Sequence, residues 1–185
     1  MSLTASHMLA LGTIAPDFNL YDAISTKTLS LAELKGEKLT VIFFMCNHCP
    51  YVVHILPHLL ETINKYQSKA IKFIAINAND LASYPQDGPE PMQALAKEKQ
   101  FNFPYLFDAS QEVAKAYQAA CTPDFYIFDP NLACIYRGRY DASSPGKPAA
   151  VTGADLIGAL DNWLKNHLIV SEQLPSMGCN IKWRV

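Results

Sequence analysis

The sequence contains no apolar run near the roughly 18 residues that a membrane-spanning helix needs. Charge is also sparse: 17% of the 185 residues are Asp, Glu, Lys or Arg, and the formal net charge is -2. Without a basic excess there is no electrostatic footprint for nucleic acid. The N-terminus, MSLTASHMLALG, lacks the basic start, apolar centre and small-residue cleavage site of a secretory signal. Internal repeats and a dividing linker are missing too. Cysteines number five, too few and too odd for a disulfide scaffold in a chain of this length. These absences predict a cytoplasmic protein with neither membrane nor nucleic-acid partners. Half of the residues are hydrophobic and the mean hydropathy is +0.03, as in a single domain with one full core.

What the sequence does contain centres on Val41 to Tyr51, VIFFMCNHCPY. An apolar, β-branched run ends abruptly at Cys46-Asn47-His48-Cys49-Pro50, and a helical pattern, VVHILPHLLETINKYQ, follows. Five cysteines make ten pairs, so a C-x-x-C arises by chance in roughly one such sequence in ten. The strand-to-helix position carries the weight. Unpaired N–H groups and the positive end of the helix dipole favour a thiolate there.

The flanking chain reads β-α-β-α-β-α-β-β-α. Ser30 and Glu33 have capping-box spacing for a short helix at 31–35 that stops at Gly36. Leu39–Met45 and Ile71–Ile76 are strands covered on both faces. The helix after the cysteines carries Val52, Leu56, Leu59, Leu60 and Ile63 on one stripe, with a kink expected at Pro57. Residues 77–91 read as a loop whose acids, Asp80, Asp87 and Glu90, are solvated. Pro89 or Pro91 opens a helix at about 90–100. Asp108 and Gln111 cap the next, to about Tyr117. Phe125–Phe128 and Leu132–Tyr136 form a hairpin, and Thr152 caps a last helix at 153–167. The tail from Val170 has neither period. Parallel units followed by a hairpin and a helix make an α/β fold, a mixed sheet with helices on both faces.

Several separated motifs carry a resemblance. The C-x-x-C at a strand-to-helix junction, Pro57, Thr122-Pro123 before a strand and the closing β-β-α resemble the thioredoxin fold. Gly12 to Leu20, GTIAPDFNL, resembles the opening of the redoxins, the alkyl-hydroperoxide-reductase/thiol-specific-antioxidant superfamily. FFMCNHCPYV, INAND, CTPDFYIFD and SMGCNIKWR are similar to its peroxiredoxin-like branch. The resemblance covers about residues 12–184. It implies a central mixed sheet flanked by helices in one domain, 1–185, with 1–11 and 170–185 as terminal extensions.

The resemblance also implies roles. Cys46 is the exposed nucleophile and Cys49 the buried resolving thiol. His48 between them stabilises the Cys46 thiolate, and hence the reduced form. Thr122-Pro123 corresponds to a cis peptide beside the cysteines, which leaves the Thr122 backbone to pair with an extended substrate. Cys121 is either an additional redox thiol or a small buried hydrophobe, Cys134 is inert, and Cys179 is unplaced. Asn77 and Asn79 fall at the edge of the site. Trp163 and Trp183 are packing residues.

The expected function is thiol–disulfide oxidoreduction with a protein or small-molecule disulfide partner, a thioredoxin-type reductant and no cofactor. Two alternatives stay open. A hydroperoxide reductase, an antioxidant, would align its reactive cysteine with Cys49, but Cys46 then replaces a threonine and CTPD replaces an arginine segment, removing donors for O–O cleavage. A metal-binding protein would use Cys46, Cys49 and a histidine, His54 or His58. Thioredoxins often hold a buried acid six residues before the first cysteine; here that residue is Thr40, so another group must move the proton.

Overall fold

Leu39 to Phe44 are six consecutive residues with no exposure at all, and they form the central strand of the protein. In the computed structural model, which describes residues 3–184, the strands are β1 (Leu3–Ala5), β2 (Asn19–Asp22), β3 (Thr28–Ser30), β4 (Leu39–Phe44), β5 (Ile71–Asn77), β6 (Tyr105–Phe107), β7 (Cys121–Thr122), β8 (Asp124–Phe128), β9 (Cys134–Gly138) and β10 (Met177–Asn180). The helices are α1 (Leu31–Leu34), α2 (Pro50–Gln67), α3 (Pro89–Glu98), α4 (Glu112–Ala116) and α5 (Ala154–Asn166). Met1, Ser2 and Val185, at the tips of the two terminal segments, lie outside the described residues. No described helix is long and apolar enough to cross a membrane.

A seven-stranded sheet has the order β3-β2-β6-β5-β4-β8-β9. β4 runs parallel to β5 and β5 to β6, whereas β8 is antiparallel to β4 and β9 to β8. Successive side chains of β4 enter different cores, as a period of two requires. Val41 and Phe43 join a cluster with Ile55, Leu59 and Ile63 of α2 and Leu156 and Leu160 of α5. Ile42 and Phe44 join a cluster with Leu31 of α1, Ala114 of α4 and Tyr117. Covering both faces is what makes the strand sequence continuously apolar.

The expected β-α-β-α-β-α-β-β-α order is found from β4 to α5 with one addition, the two-residue β7 ahead of β8, and the Ser30–Glu33 capping box is present. α2 runs unbroken through Pro57. Pro57 and Val53, whose carbonyl loses its donor there, both face water. Four local expectations are corrected. Gly36 stops no helix by a left-handed turn; a Cβ there would lie 2.1 Å from the Leu39 carbonyl oxygen, so the residue is glycine because of that close approach. Asp108 does not cap a helix at 109: its carboxylate accepts from Ala114 N, and Gln111, with φ 66, delays the helix to Glu112. Gly153, not Thr152, occupies the cap position of α5, and the Asp141 carboxylate takes both their N–H groups at 2.7 Å.

The fourth correction matters most. The tail is not devoid of strand. β10 lies between β1 and β7 in a second, three-stranded sheet, in the register Cys179 opposite Thr122 and Asn180 opposite Cys121.

Candidate active site

β4 delivers Met45 and Cys46 to the carboxyl end of the sheet, where the chain bends and α2 begins. Cys49 is the N-cap residue, with φ -66 and ψ 120, and Pro50 fills the first helical position, where a missing N–H costs nothing. A cap of Ser, Thr, Asp or Asn would satisfy the first turn with a side-chain oxygen. Here the cap side chain is a thiol, which makes no capping hydrogen bond and instead approaches the Thr122 carbonyl at 3.2 Å.

Both sulfurs are buried, Cys46 with 2% exposure and Cys49 with none, so the expected exposed nucleophile is nearly covered. The two thiols act on one another, and their shifts run in opposite directions. Cys49 is pushed down to about 5, first by the hydrogen bond from Cys46 and then by Thr122, Cys179 and the Val52 N–H, against the opposing effect of burial. Cys46 is pushed far up by the same hydrogen bond, then by burial and the Asp87 charge. Thus one proton leaves the pair readily and the other is held. The Thr122 carbonyl lies 3.2 Å from Cys49 Sγ and favours a proton on that sulfur, so the remaining proton has a place on either.

Thr122-Pro123 is cis, as expected, and brings Thr122 Oγ1 to 3.8 Å from Cys46 Sγ. The Thr122 backbone, however, is already paired with β10. This chain's own tail holds the position expected for a substrate strand.

His48 lies on the other side of Cys46. Its Nδ1 is 2.9 Å from Asp87 Oδ2, an ionic approach without the alignment of a hydrogen bond. Asp87 is fully buried, which corrects its reading as a solvated loop acid. Its carboxylate accepts from Asn47 N at 2.9 Å and Asn79 Nδ2 at 2.8 Å, while Asn77 Nδ2 donates to its carbonyl at 2.9 Å. Tyr105 OH donates to Asn47 Oδ1 at 2.9 Å, and Tyr84 stacks on the imidazole with ring centroids 5.5 Å apart. Asn77 and Asn79 are therefore buried supports of Asp87. One ligand atom each from Cys46, His48 and Asp87 lie within 4.8 Å of one another. His54 and His58, the histidines expected for a metal, are engaged elsewhere: His54 Nε2 with Ser143 Oγ at 3.2 Å, and His58 Nδ1 with Tyr140 OH at 2.6 Å.

Cys121 is buried one residue from Thr122, but its sulfur approaches the Ser176 carbonyl at 3.8 Å and burial pushes its thiol far up. Cys134 is enclosed in the core behind α4 and pushed up to about 12, also by burial. Cys179, left unplaced by the sequence, packs with Cys46 and Cys49 and is hydrogen-bonded to Cys49. Trp163 packs against the core, and Trp183 is 38% exposed. A cleft of about 200 Å³ opens beside Pro123, lined by Tyr51, His54, Ile55, Arg139, Tyr140 and Met177 among others.

Residues 11–136 match the AhpC/TSA family, a span that includes the whole β4–α2 junction and Thr122-Pro123. The chain belongs to the AhpC/TSA family. Among curated relatives, it is 25% identical over 130 residues to the thiol-disulfide oxidoreductase ResA of Bacillus thuringiensis, covering 68% of each chain. It is 27% identical over 104 residues to the chloroplastic peroxiredoxin Q of Triticum aestivum, covering 56% of this chain and only 44% of that one. Among solved structures, an uncharacterized conserved protein of Geobacillus kaustophilus superposes with a TM-score of 0.97 at 47% identity, covering 100% of this chain and 97% of the other. The thioredoxin domain of a thiol-disulfide oxidoreductase of Bacteroides vulgatus gives a TM-score of 0.58 at 21% identity, covering 70% and 88%, and so shares the fold. The chain is thus a redoxin with a thioredoxin-like fold.

Proposed function

We propose that this AhpC/TSA protein is a thiol–disulfide oxidoreductase working through Cys46 and Cys49. The observation that carries this reading is the placement of both sulfurs against Thr122 at the start of α2, Cys46 Sγ 3.8 Å from its Oγ1 and Cys49 Sγ 3.2 Å from its carbonyl oxygen. Of the two residues Cys46 is the one with any exposure, so it meets the substrate disulfide. Its proton passes to Cys49 along their hydrogen bond, and Cys46 attacks as the thiolate. One substrate sulfur leaves as a thiolate and the other stays bonded to Cys46. Cys49 then loses its proton, attacks Cys46 Sγ and releases the second substrate thiol. The substrate has gained two electrons and the protein holds a Cys46–Cys49 disulfide, which a thioredoxin-type dithiol returns to thiols.

His48 serves as the proton path. Its side chain is 24% exposed, so it links the buried Cys46 to water, and Asp87 fixes its place. Any positive charge on the imidazole is offset by Asp87, so His48 is a carrier of protons more than a source of thiolate stabilisation. The cleft beside Pro123 receives the substrate's flanking groups. Their partner chemistry is that of a protein or small-molecule disulfide, and the proposed setting is the cytoplasm.

The test is the rate of disulfide reduction and of peroxide consumption by wild type, Cys46→Ser and Cys49→Ser. Disulfide reduction lost in both variants, with Cys49→Ser trapping substrate on Cys46, supports the reading. Peroxide turnover that survives Cys46→Ser would move the function to a Cys49 peroxidase.

The cluster of Cys46, His48 and Asp87 also favours a second reading, a divalent metal site of three ligands. Metal analysis of protein purified without added zinc separates the two. About one metal per chain, lost on Cys46→Ser, would replace the redox account.

A further inference from the structure

We infer that Cys179 is a third redox thiol of this site, placed to form a disulfide with Cys49; the inference rests on the proposed exchange through Cys46 and Cys49. Antiparallel register sets Cys179 opposite Thr122. Directly opposed residues project from the same face of a sheet. Thr122 turns its Oγ1 toward Cys46, so Cys179 projects toward the dithiol. Cys121, its neighbour on β7, projects from the other face toward Ser176. Cys179 is 5% exposed and packs in the same cluster as Cys46 and Cys49. Gly178 allows this closeness: a Cβ there would stand 2.0 Å from the Thr122 carbonyl oxygen, the atom that also contacts Cys49.

The step begins from the Cys46–Cys49 disulfide. The Cys179 thiolate attacks Cys49 Sγ, and the Cys49–Cys179 bond forms as the Cys46–Cys49 bond breaks. Cys46 leaves with the electron pair and takes up the proton that Cys179 released. One disulfide replaces another, so no oxidant or reductant is consumed. Burial, then the hydrogen bond and charge of Cys49, push the Cys179 thiol up to about 12 in the dithiol state. The last two effects disappear once Cys49 is in a disulfide, so Cys179 gains nucleophilic character when it is needed. The exchange returns Cys46 as a thiol while the protein stays oxidised, and it ties β10 to the start of α2. A dithiol reductant then completes the cycle at Cys49–Cys179.

Cys46→Ser and the double variant Cys46→Ser/Cys179→Ser are incubated with oxidised glutathione, acid-quenched, alkylated and mapped by mass spectrometry. In Cys46→Ser, the Cys49–Cys179 disulfide is expected to exceed the Cys49–glutathione adduct by about ten-fold or more, because an intramolecular thiol acts at millimolar effective concentration or above. The double variant should stop at the adduct. Accumulation of the adduct to the same level in both variants would overturn the inference, as would Cys49 staying fully alkylated in Cys46→Ser. Cys46→Ala, run alongside, should repeat the Cys46→Ser result. Wild type and Cys179→Ser are mapped in parallel: a Cys46–Cys49 disulfide in wild type, without Cys49–Cys179 in any sample, keeps the proposed function and removes the third thiol. Absence of the Cys46–Cys49 disulfide from Cys179→Ser counts against the function itself.

Discussion

The buried Asp87 carboxylate lies 2.9 Å from Nδ1 of His48, and so places an acid and an imidazole together behind Cys46. Thr40, at the position where a buried acid was expected, instead accepts the Gly36 N–H through its Oγ1 at 3.0 Å. The charge that Cys46 feels comes from the loop after β5, and its sign raises the Cys46 thiol.

Asp87→Asn should therefore lower the Cys46 pKa by about 1–3 units, as removal of a close like charge does. A lower thiol pKa stabilises the dithiol, so the Cys46–Cys49 disulfide should become easier to reduce in a glutathione redox buffer. Loss of the charged acceptor for Asn47 N and Asn79 Nδ2 should also cost about 1–3 kcal/mol in denaturant unfolding. A disulfide that becomes harder to reduce would contradict the assignment.

The lowered Cys49 thiol gives a pH signature. The rate at which iodoacetamide modifies the pair should rise near pH 5 and level off by neutrality, because Cys49 is held at about 5 by the hydrogen bond from Cys46. An ordinary thiol would instead rise through roughly pH 8–9. The latter profile would show that Cys49 is not held down by its neighbour.

Gly178→Ala tests the docking of the tail. Its Cβ would meet Thr122 backbone atoms at 2.0 and 2.7 Å, which no side-chain rotation can relieve. Overpacking of this kind costs about 1–3 kcal/mol. The variant should lose that much stability in urea and exchange disulfides more slowly, since Thr122 contacts both Cys46 and Cys49. Unchanged stability would mean that β10 does not press on Thr122.

Asp124, fully buried after Pro123, is pushed up to about 7 by burial. The sign follows from linkage. Below pH 4 the carboxyl is protonated folded and unfolded; between about 4 and 7 only the unfolded chain ionises, so stability falls as pH rises, by up to about 4 kcal/mol in all. Asp124→Asn should remove this loss, with its stability relative to wild type growing from pH 4 to 7 and constant above. A difference that does not change with pH in urea titrations would refute the protonated carboxyl.

Continuous apolar runs made β4 and β5 legible, and Ser30 and Pro89 marked helix starts by local chemistry. C-x-x-C at a strand end and Thr-Pro before another strand were enough to bring Cys46, Cys49 and Thr122 together. β10 was hidden because four residues, Met-Gly-Cys-Asn, carry no period, and its partners β1 and β7 are short and far away in sequence. Asp87 was hidden because a loop acid is ordinarily solvated. Its signal was the pair of amide side chains at and just after the end of β5, Asn77 and Asn79, which donate to the Asp87 carbonyl and carboxylate respectively. Long-range pairing, not local propensity, decided both.

The most direct measurement is a redox titration of the wild-type protein in glutathione buffers, with each point quenched, alkylated and mapped. The account predicts a single two-electron transition in which Cys49 leaves the alkylated pool into an intramolecular disulfide, its partner being Cys46 or, where the internal exchange has run, Cys179. Cys46 and Cys49 remaining alkylated across the whole range would contradict it.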